Sequence, residues 1–481
     1  MHPATIARIL GFFAVGFGLS LVPPLLLAWG YADGEVGHFA LAMALTLVPG
    51  GLAWWLGGRR PHDLANRDGF LLVALFWLGG GLLGTLPLIL GANLDFVSAL
   101  FEAVSAFTTT GATVMSGLDD LPPSLLFYRQ QLQWYGGMGM IVLAVAVLPA
   151  LGIGGMQLYR AEAPGPMKEE KLTPRLAETA RVLWGIYVGI TLACALAYWA
   201  AGMSPFDAVA HSLSTVSTGG FSTHDASLGW FHSPAVEGVA ILFMLMGGIN
   251  FSVHYLALTD HDPLHYLRDP EVRGFLLIVA GAVLLVSLML RLDGAYAHLP
   301  PDLRDAGFEV VSVITSTGFG TVDFSRWPEF LPVFLIFISF IGGCGGSTAG
   351  GMKVMRVLVL VQQGLREIRR LIHPHAVLAV RIGGRTLRAR TLEAVWGFFA
   401  AYVSSFVVLM LLMMHFGLDQ VSAFSAVATC MNNLGPGLGE VSASFAGVTA
   451  GGKLVAVAAM LLGRLEVFTI LVLLTPGFWR R

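Results

Sequence analysis

The sequence predicts an all-α integral membrane protein: four pseudo-repeated helix–pore loop–helix units around one pore, preceded by two extra transmembrane helices. Three observations carry that expectation. The 481 residues are 56% hydrophobic and only 12% charged, with mean hydropathy +0.74. A soluble chain of this length needs far more surface charge. Apolar runs of about 20 residues, enough to cross the hydrocarbon core as a helix, recur from one end of the chain to the other. A barrel would show shorter, alternating segments. Finally, one set of landmarks returns four times in the same order.

Ten spans are expected. Two lead, near 4–30 and 36–58. The segment 1–30 lacks a small-residue cleavage site and reads as a retained span. Eight more fall in pairs: 69–91 with 126–153, 178–201 with 234–259, 271–291 with 330–364, and 393–416 with 449–475. Between the members of each pair lie a short apolar half-helix and a Gly-containing polar loop. The loops read Thr109-Thr110-Gly111-Ala112, Ser217-Thr218-Gly219-Gly220, Ser316-Thr317-Gly318-Phe319 and Asn433-Leu434-Gly435-Pro436. Their first glycines lie 108, 99 and 117 residues apart. Upstream of each sits an acid, Asp95, Asp207, Asp305 or Asp419, at 16, 12, 13 and 16 residues. Downstream sits a glycine within the second span, Gly136, Gly247, Gly343 or Gly463, at 25, 28, 25 and 28 residues. One such landmark is weak among 59 glycines. Three in a fixed order, four times over, mark an internal repeat. The expected boundaries are 1–66 for the leading helices, 67–157, 176–260 and 269–365 for the first three units, 366–392 for a basic segment and 393–481 for the fourth unit.

Basic residues set the expected orientation. If the short loops enter from outside, then the N-terminus, 58–68, 158–182, 260–273, 356–392 and the C-terminus face the cytoplasm. Those segments hold 21 of the 28 Lys and Arg. Both termini are then cytoplasmic. The three cysteines, Cys194, Cys344 and Cys430, fall in or near apolar stretches, which suits buried thiols better than disulfides. The 13 histidines lack ligand spacing. With no nucleophile–base pair and no phosphate loop, the sequence reads as neither an enzyme nor a resident-metal protein, and nothing in it points to nucleic acid.

The loops suit a monovalent cation. Rings of backbone carbonyls replace the water that an ion sheds in a narrow filter. Glycine reaches the backbone conformations such a turn requires. Preceding Thr or Ser can add hydroxyl oxygens. Each half-helix aims its C-terminal partial negative charge at the pore, and the upstream acids suit half-helix N-termini. The candidate filter residues are Thr110, Gly111, Ala112, Thr218, Gly219, Gly220, Thr317, Gly318, Phe319, Leu434, Gly435 and Pro436. In the fourth loop Leu434 supplies no hydroxyl, which predicts modest selectivity.

The stretches FTTTGATV (107–114), STVSTGGFST (214–223), ITSTGFGTVDF (314–324) and MNNLGPGLG (431–439) resemble the Trk/Ktr/HKT superfamily of potassium transporters. So do YGGMGMIVLAVAVLP (135–149) and GGCGGSTAGGMK (342–353). The likeness runs over essentially the whole chain, and the two extra leading spans favour the ten-span branch. It implies potassium uptake across the bacterial inner membrane, with potassium as cargo at the filter residues and no covalently bound cofactor. Glycine at all four filter positions goes, in that family, with potassium preference over sodium. The resemblance also implies a homodimer, each chain with its own pore, and a cytosolic TrkA-type regulatory subunit that binds nucleotide.

Six glycines in ten residues, Gly342, Gly343, Gly345, Gly346, Gly350 and Gly351, predict an unwound stretch in the second span of unit three, at roughly 1 kcal/mol each relative to alanine. Irregular backbone at membrane depth persists only beside protein or a water-filled cavity. Close helix packing needs only a glycine every fourth residue. By resemblance the stretch is an intramembrane gate below the filter. Arg464, expected mid-span, costs about 2.5–3.5 kcal/mol at the bilayer centre. It is expected to donate to carbonyls of this stretch and hold it closed, with Lys353 adding positive charge. Glu466, two residues on, does not share its helix face. An ion pair with an acid elsewhere is the alternative for Arg464.

The arginines of 366–390 suit lipid headgroups and a docking surface for the regulatory subunit. A proton- or sodium-coupled symporter is the rival reading. Glu102 and Glu309, each nine residues before a filter glycine, are its repeated candidates, although capping or bracing the half-helices is the expected role for both.

Overall fold

The computed structural model describes residues 3–57, 66–142, 172–293, 299–376 and 378–480. Segments 58–65 and 143–171, which hold several of the counted basic residues and the end of the expected 126–153 span, lie outside the described residues, as do 294–298.

The leading pair comprises α1 (Pro3–Leu19), α2 (Val22–Tyr31) and α3 (Val36–Leu56). Prolines in the first turn of α2 sit where a missing N–H has no helical partner to lose. Gly11 and Gly50 let α1 and α3 touch, since a Cβ at either would press on the other helix's backbone, the small-residue contact common between membrane helices.

The four units follow. The first has α4 (Asn66–Leu90), pore helix α5 (Phe96–Phe107) and α6 (Pro123–Val142). The second has α7 (Leu172–Ala200), pore helix α8 (Pro205–Val216), α9 (Pro234–Gly248) and α10 (Phe251–Thr259). The short α11 (Leu264–Arg268) links it to the third, with α12 (Pro270–Leu292), pore helix α13 (Leu299–Ile314), α14 (Phe330–Ser339) and α15 (Val354–Ile372). A two-stranded hairpin, Arg381–Ile382 with Arg385–Thr386, turns through Gly383 and Gly384 at φ 58° and 82°. Positive φ at both central residues is what a tight hairpin turn requires. The fourth unit has α16 (Ala389–His415), pore helix α17 (Gln420–Asn432), α18 (Ala450–Arg464) and α19 (Phe468–Leu474), then the terminal turn α20 (Pro476–Trp479).

Among the described residues six helices are long and apolar enough to cross a membrane, or eight if each bent pair counts as one. Of the other two expected spans, α6 carries Arg129, Gln130, Gln131 and Gln133, and the 330–364 span is divided by non-helical residues 340–353. The sequence foresaw that break. Two others it did not foresee. The spans expected at 234–259 and 449–475 bend by 98° between α9 and α10 and by 114° between α18 and α19. At the first bend Ile249 is extended and Asn250 caps α10, accepting from the Ser252 N–H at 2.8 Å. At the second, Glu466 and Val467 take φ 55° and 52°. Arg464 therefore ends a helix instead of sitting mid-span.

The acids upstream of the loops divide by role. Asp95 and Asp419 cap α5 and α17. Ser204 caps α8, accepting from the Asp207 N–H at 3.0 Å and donating its hydroxyl to the Asp207 carboxylate at 2.7 Å, a reciprocal arrangement of the capping-box kind. Asp305 lies inside α13, because that helix begins at Leu299.

Candidate functional site

Each pore helix ends in the same turn. The residue two before the turning glycine is left-handed: Thr109, Thr218, Ser316 and Asn433, at φ 52–53°. The next residue donates its N–H five residues back into the pore helix, from Thr110 to Ser105, Gly219 to Ser214, Thr317 to Ser312 and Leu434 to Thr429, each at 2.8 Å. The residue after that is a glycine with positive φ: Gly111 at 80°, Gly220 at 79°, Gly318 at 82° and Gly435 at 101°.

This fixes the register and corrects one assignment. In the second loop Gly220, not Gly219, matches Gly111, Gly318 and Gly435, and Gly219 stands where the other loops carry Thr110, Thr317 and Leu434. Phe221 then matches Phe319, a Gly-Phe pair already visible in the sequence.

The four turns close a ring. A Cβ on Gly111 would overlap the Gly219 carbonyl oxygen, one on Gly220 the Thr317 oxygen, and one on Gly318 the Leu434 oxygen. One on Gly435 would lie 2.8 Å from the Thr110 oxygen. Contact thus passes from loop one to two, two to three, three to four, and four back to one. Glycine is required twice over, for its positive φ and for this approach. The Thr110 and Thr317 hydroxyls bond to those of Thr108 and Thr315 at 2.7 and 2.8 Å. The Asn433 amide donates to the Thr110 hydroxyl at 2.9 Å and the Met460 carbonyl at 3.1 Å, tying loop four to loop one. Gln133 holds loop two, donating to the Gly219 oxygen at 2.6 Å and accepting from the Phe221 N–H at 3.1 Å. Ala112, Phe319, Pro436 and their neighbours continue the loops outward.

The downstream glycines serve the same geometry. A Cβ on Gly136 or Gly463 would overlap the Phe107 or Met431 carbonyl, and one on Gly247 would meet the Val216 carbonyl at 3.0 Å. Each second span thereby seats its own pore helix. Gly343 departs from the pattern, meeting Ala349, Ser347 and the Gly248 carbonyl, because its span has unwound.

The unwound stretch 340–353 lies against the inner ends of the pore helices. Thr348 donates its hydroxyl to the Val216 and Gly247 carbonyls at 3.1 and 3.0 Å. The Gly350 N–H reaches the Ser316 hydroxyl, and the Gly351 N–H the Asn432 carbonyl at 3.2 Å. Arg464, 1% exposed, donates to the Thr348 carbonyl at 3.0 Å and the Gly136 carbonyl at 3.4 Å. Lys353 donates to the Ala349 carbonyl. Both cations reach the stretch as the sequence suggested. Glu466 pairs instead with Arg356 at 2.6 Å, and Arg356 lies 4.1 Å over the Phe398 ring. A small cavity beside the stretch is lined by Gly350, Lys353, Arg356, Tyr402, Arg464 and Glu466 among others.

Two holders of this stretch went unrecognised in the sequence. Glu271, buried in the first turn of α12, accepts the Gly345 and Met355 N–H groups at 2.8 and 3.1 Å. Asn250, at the α9–α10 bend, lies beside Gly346, whose carbonyl accepts from the Phe251 N–H at 3.1 Å. An acid at a span's edge and an Asn interrupting an apolar run were the available signals. Glu102 braces its half-helix against α6, pairing with Arg129 at 2.7 Å, and neither Glu102 nor Glu309 is confined to such a role. Both reach the chain beyond the turning glycine, where Glu102 receives the Val114 N–H at 2.8 Å and Glu309 the Thr321 N–H at 2.9 Å.

The model of the family described as "TrkH: Cation transport protein" matches residues 37–478. This chain belongs to the TrkH family. It is 51% identical, over the full length of both chains, to the Trk system potassium uptake protein TrkH of Vibrio parahaemolyticus. It is 49% identical to the Escherichia coli K12 protein of the same name, again over the full length of both. Identity to the Escherichia coli potassium uptake protein TrkG is 41%, covering 100% of this chain and 99% of the relative. The crystal structure of the potassium transporter TrkH from Vibrio parahaemolyticus superposes with a TM-score of 0.93 at 48% identity, covering all of both chains. Membership of the TrkH family of cation transport proteins accounts for the ring of turns, the two leading helices and the apolar spans together.

Proposed function

We propose that this chain mediates potassium uptake across the bacterial inner membrane, through a selective channel-like pore gated by residues 340–353. The observation that carries the reading is the closed ring of four glycine turns. Each sets a main-chain oxygen against the glycine of the preceding turn, the arrangement in which carbonyls can replace an ion's hydration shell. The relatives' names, Trk system potassium uptake proteins, support potassium as cargo. The basic segments support cytoplasmic termini.

The gate reading rests on charge. Arg464 and Lys353 donate to successive carbonyls, of Thr348 and Ala349, directly inside the filter. Fixed cations on that path oppose a passing cation, and a low-dielectric surrounding strengthens the opposition. Opening requires the stretch and these side chains to move away. The nucleotide-binding TrkA-type partner and a homodimer are part of the proposal. The arginines of α15 and the hairpin segment are the surface on which such a partner can act.

The test is rubidium and sodium uptake into liposomes holding the purified chain. Potassium-driven flux that follows the potassium gradient and ignores imposed proton and sodium gradients supports a channel; flux that needs either gradient supports a symporter. Arg464→Ala is expected to raise basal flux about tenfold, the equivalent of one lost charged hydrogen bond holding the closed form. Unchanged or lower flux in folded protein would sink the latch.

A further inference from the structure

The geometry points to a second set of fixtures on the filter, resting on the pore reading above: one buried polar side chain per pore helix ties down the chain just outside the turning glycine and so sets the ring's width and ion preference. The positions correspond. Glu102, His211 and Glu309 lie nine residues before Gly111, Gly220 and Gly318, and Ser425 lies ten before Gly435. All four are at most 1% exposed. Their targets also correspond, falling two to four residues beyond the glycine.

The four ties use different chemistry for the same task. Glu102 accepts the Val114 N–H at 2.8 Å and the Thr113 hydroxyl at 2.9 Å, and its charge is matched by Arg129 at 2.7 Å. The His211 ring bonds the Ser222 hydroxyl at 2.9 Å, and that oxygen accepts the His224 N–H at 3.1 Å. One Glu309 oxygen accepts the Thr321 and Val322 N–H groups at 2.9 and 3.3 Å. Ser425 accepts the Leu438 N–H at 2.9 Å and donates to the Leu438 carbonyl at 3.1 Å.

Each loop is therefore anchored twice on its own pore helix. The inner anchor is the 2.8 Å bond to the helix carbonyl five residues back. The outer anchor is the buried side chain. Between them the glycine turn has little freedom to widen or collapse, and an ion's fit to a ring of dipoles depends on that freedom. These four are positioning residues; none of them needs to touch the ion.

Potassium and sodium uptake by the full chain in liposomes tests this. Glu309→Ala leaves two N–H groups without their acceptor and is expected to lower the potassium-to-sodium preference about tenfold. Glu309→Gln keeps an oxygen at the same reach and should restore the preference to within about twofold. Glu102→Gln should not, because both carboxylate oxygens already accept, and an amide N–H would face Arg129 or the Val114 N–H. Ser222→Ala and Ser425→Ala remove one hydroxyl each and should lower the preference about two- to threefold; they decide the matter if Glu309→Ala does not fold. Unchanged preference in the conducting alanine variants overturns the inference, as does a Glu309→Gln variant no better than Glu309→Ala. Absence of flux from the unsubstituted chain would instead overturn the pore reading itself.

Discussion

The ring of four turns and the stretch beneath it solve the same problem, holding irregular backbone inside a membrane, in opposite ways. The ring is shared equally. Each unit contributes one turn, fastens it to its own pore helix and rests it on the next turn. The stretch 340–353 comes from unit three alone and is suspended from all the others: Val216 and Gly247 of unit two, Asn432 and Arg464 of unit four, and through Arg464 the Gly136 carbonyl of unit one. A structure repeated by symmetry cannot move in one part without disturbing the rest. The strap is one segment of one unit, held by both main-chain and side-chain hydrogen bonds, and has no symmetric counterpart that must move with it. The contrast fits the proposed roles, selection for the ring and gating for the strap.

Three experiments can break or sharpen that contrast. The largest effect is expected at the ring. Gly220→Ala places a methyl on the Thr317 oxygen at a residue with φ 79° and should cut potassium uptake about a hundredfold, the sum of backbone strain and overlap. Gly219→Ala lies at a residue outside the positive-φ region and meets the Gln133 side chain instead of backbone, and should cost about tenfold or less. If Gly219→Ala is the more severe of the two in liposome uptake, Gly220 is not the turning residue of the second loop.

A smaller effect, of opposite sign, is expected at the strap. Glu271→Ala strands the Gly345 and Met355 N–H groups, at a cost of about 1–3 kcal/mol in the closed form. Basal flux should rise about tenfold in single-channel or liposome measurements. A fall in flux with normal folding would mean that Glu271 holds the strap open, not closed.

The smallest effect is expected outside both, where His224 joins units one and two. Its ring bonds Asp119 at 2.5 Å, lies 3.6 Å from Asp207, and stacks on Trp230 at 4.5 Å with His211 at 6.4 Å. Burial alone would lower its pKa, but the Asp207 and Asp119 carboxylates outweigh that and raise it above the ordinary imidazole value. The sign follows. The charged clamp is complete below the unfolded value of about 6.5 and is lost as pH rises through the raised folded value. A partly exposed pair of this kind contributes about 0.5–1 kcal/mol. Thermal stability should therefore fall slightly on going alkaline, and His224→Ala should flatten that slope. An unsubstituted chain with no slope over this range would remove the clamp.

Much of this molecule was legible in its sequence. The four turns declare themselves because a positive-φ turn needs glycine locally, and the acids Asp95 and Asp419 cap because a helix start needs an acceptor there. The glycine-rich break and the buried Arg464 were legible for the same reason, since both violate what a membrane helix tolerates. The bends at Asn250 and Val467 were not. Their local sequences allow a continuous helix, and neighbouring elements impose the break.

By itself the sequence determined the membrane class, the fourfold repeat, the turning glycines of loops one, three and four, and the unwound stretch, because each depends on composition or on conformational limits within a few residues. Only the tertiary structure decided which of Gly219 and Gly220 turns the second loop, where Glu102 and Glu309 point, and that Glu271 holds the strap. The first of those choices is made by the Thr317 oxygen of another unit; the others are made within one unit but past a turn or an unwound stretch, 12 residues on for Glu102 and Glu309 and 74 for Glu271 and Gly345, where the path of the chain is fixed only by the packed fold.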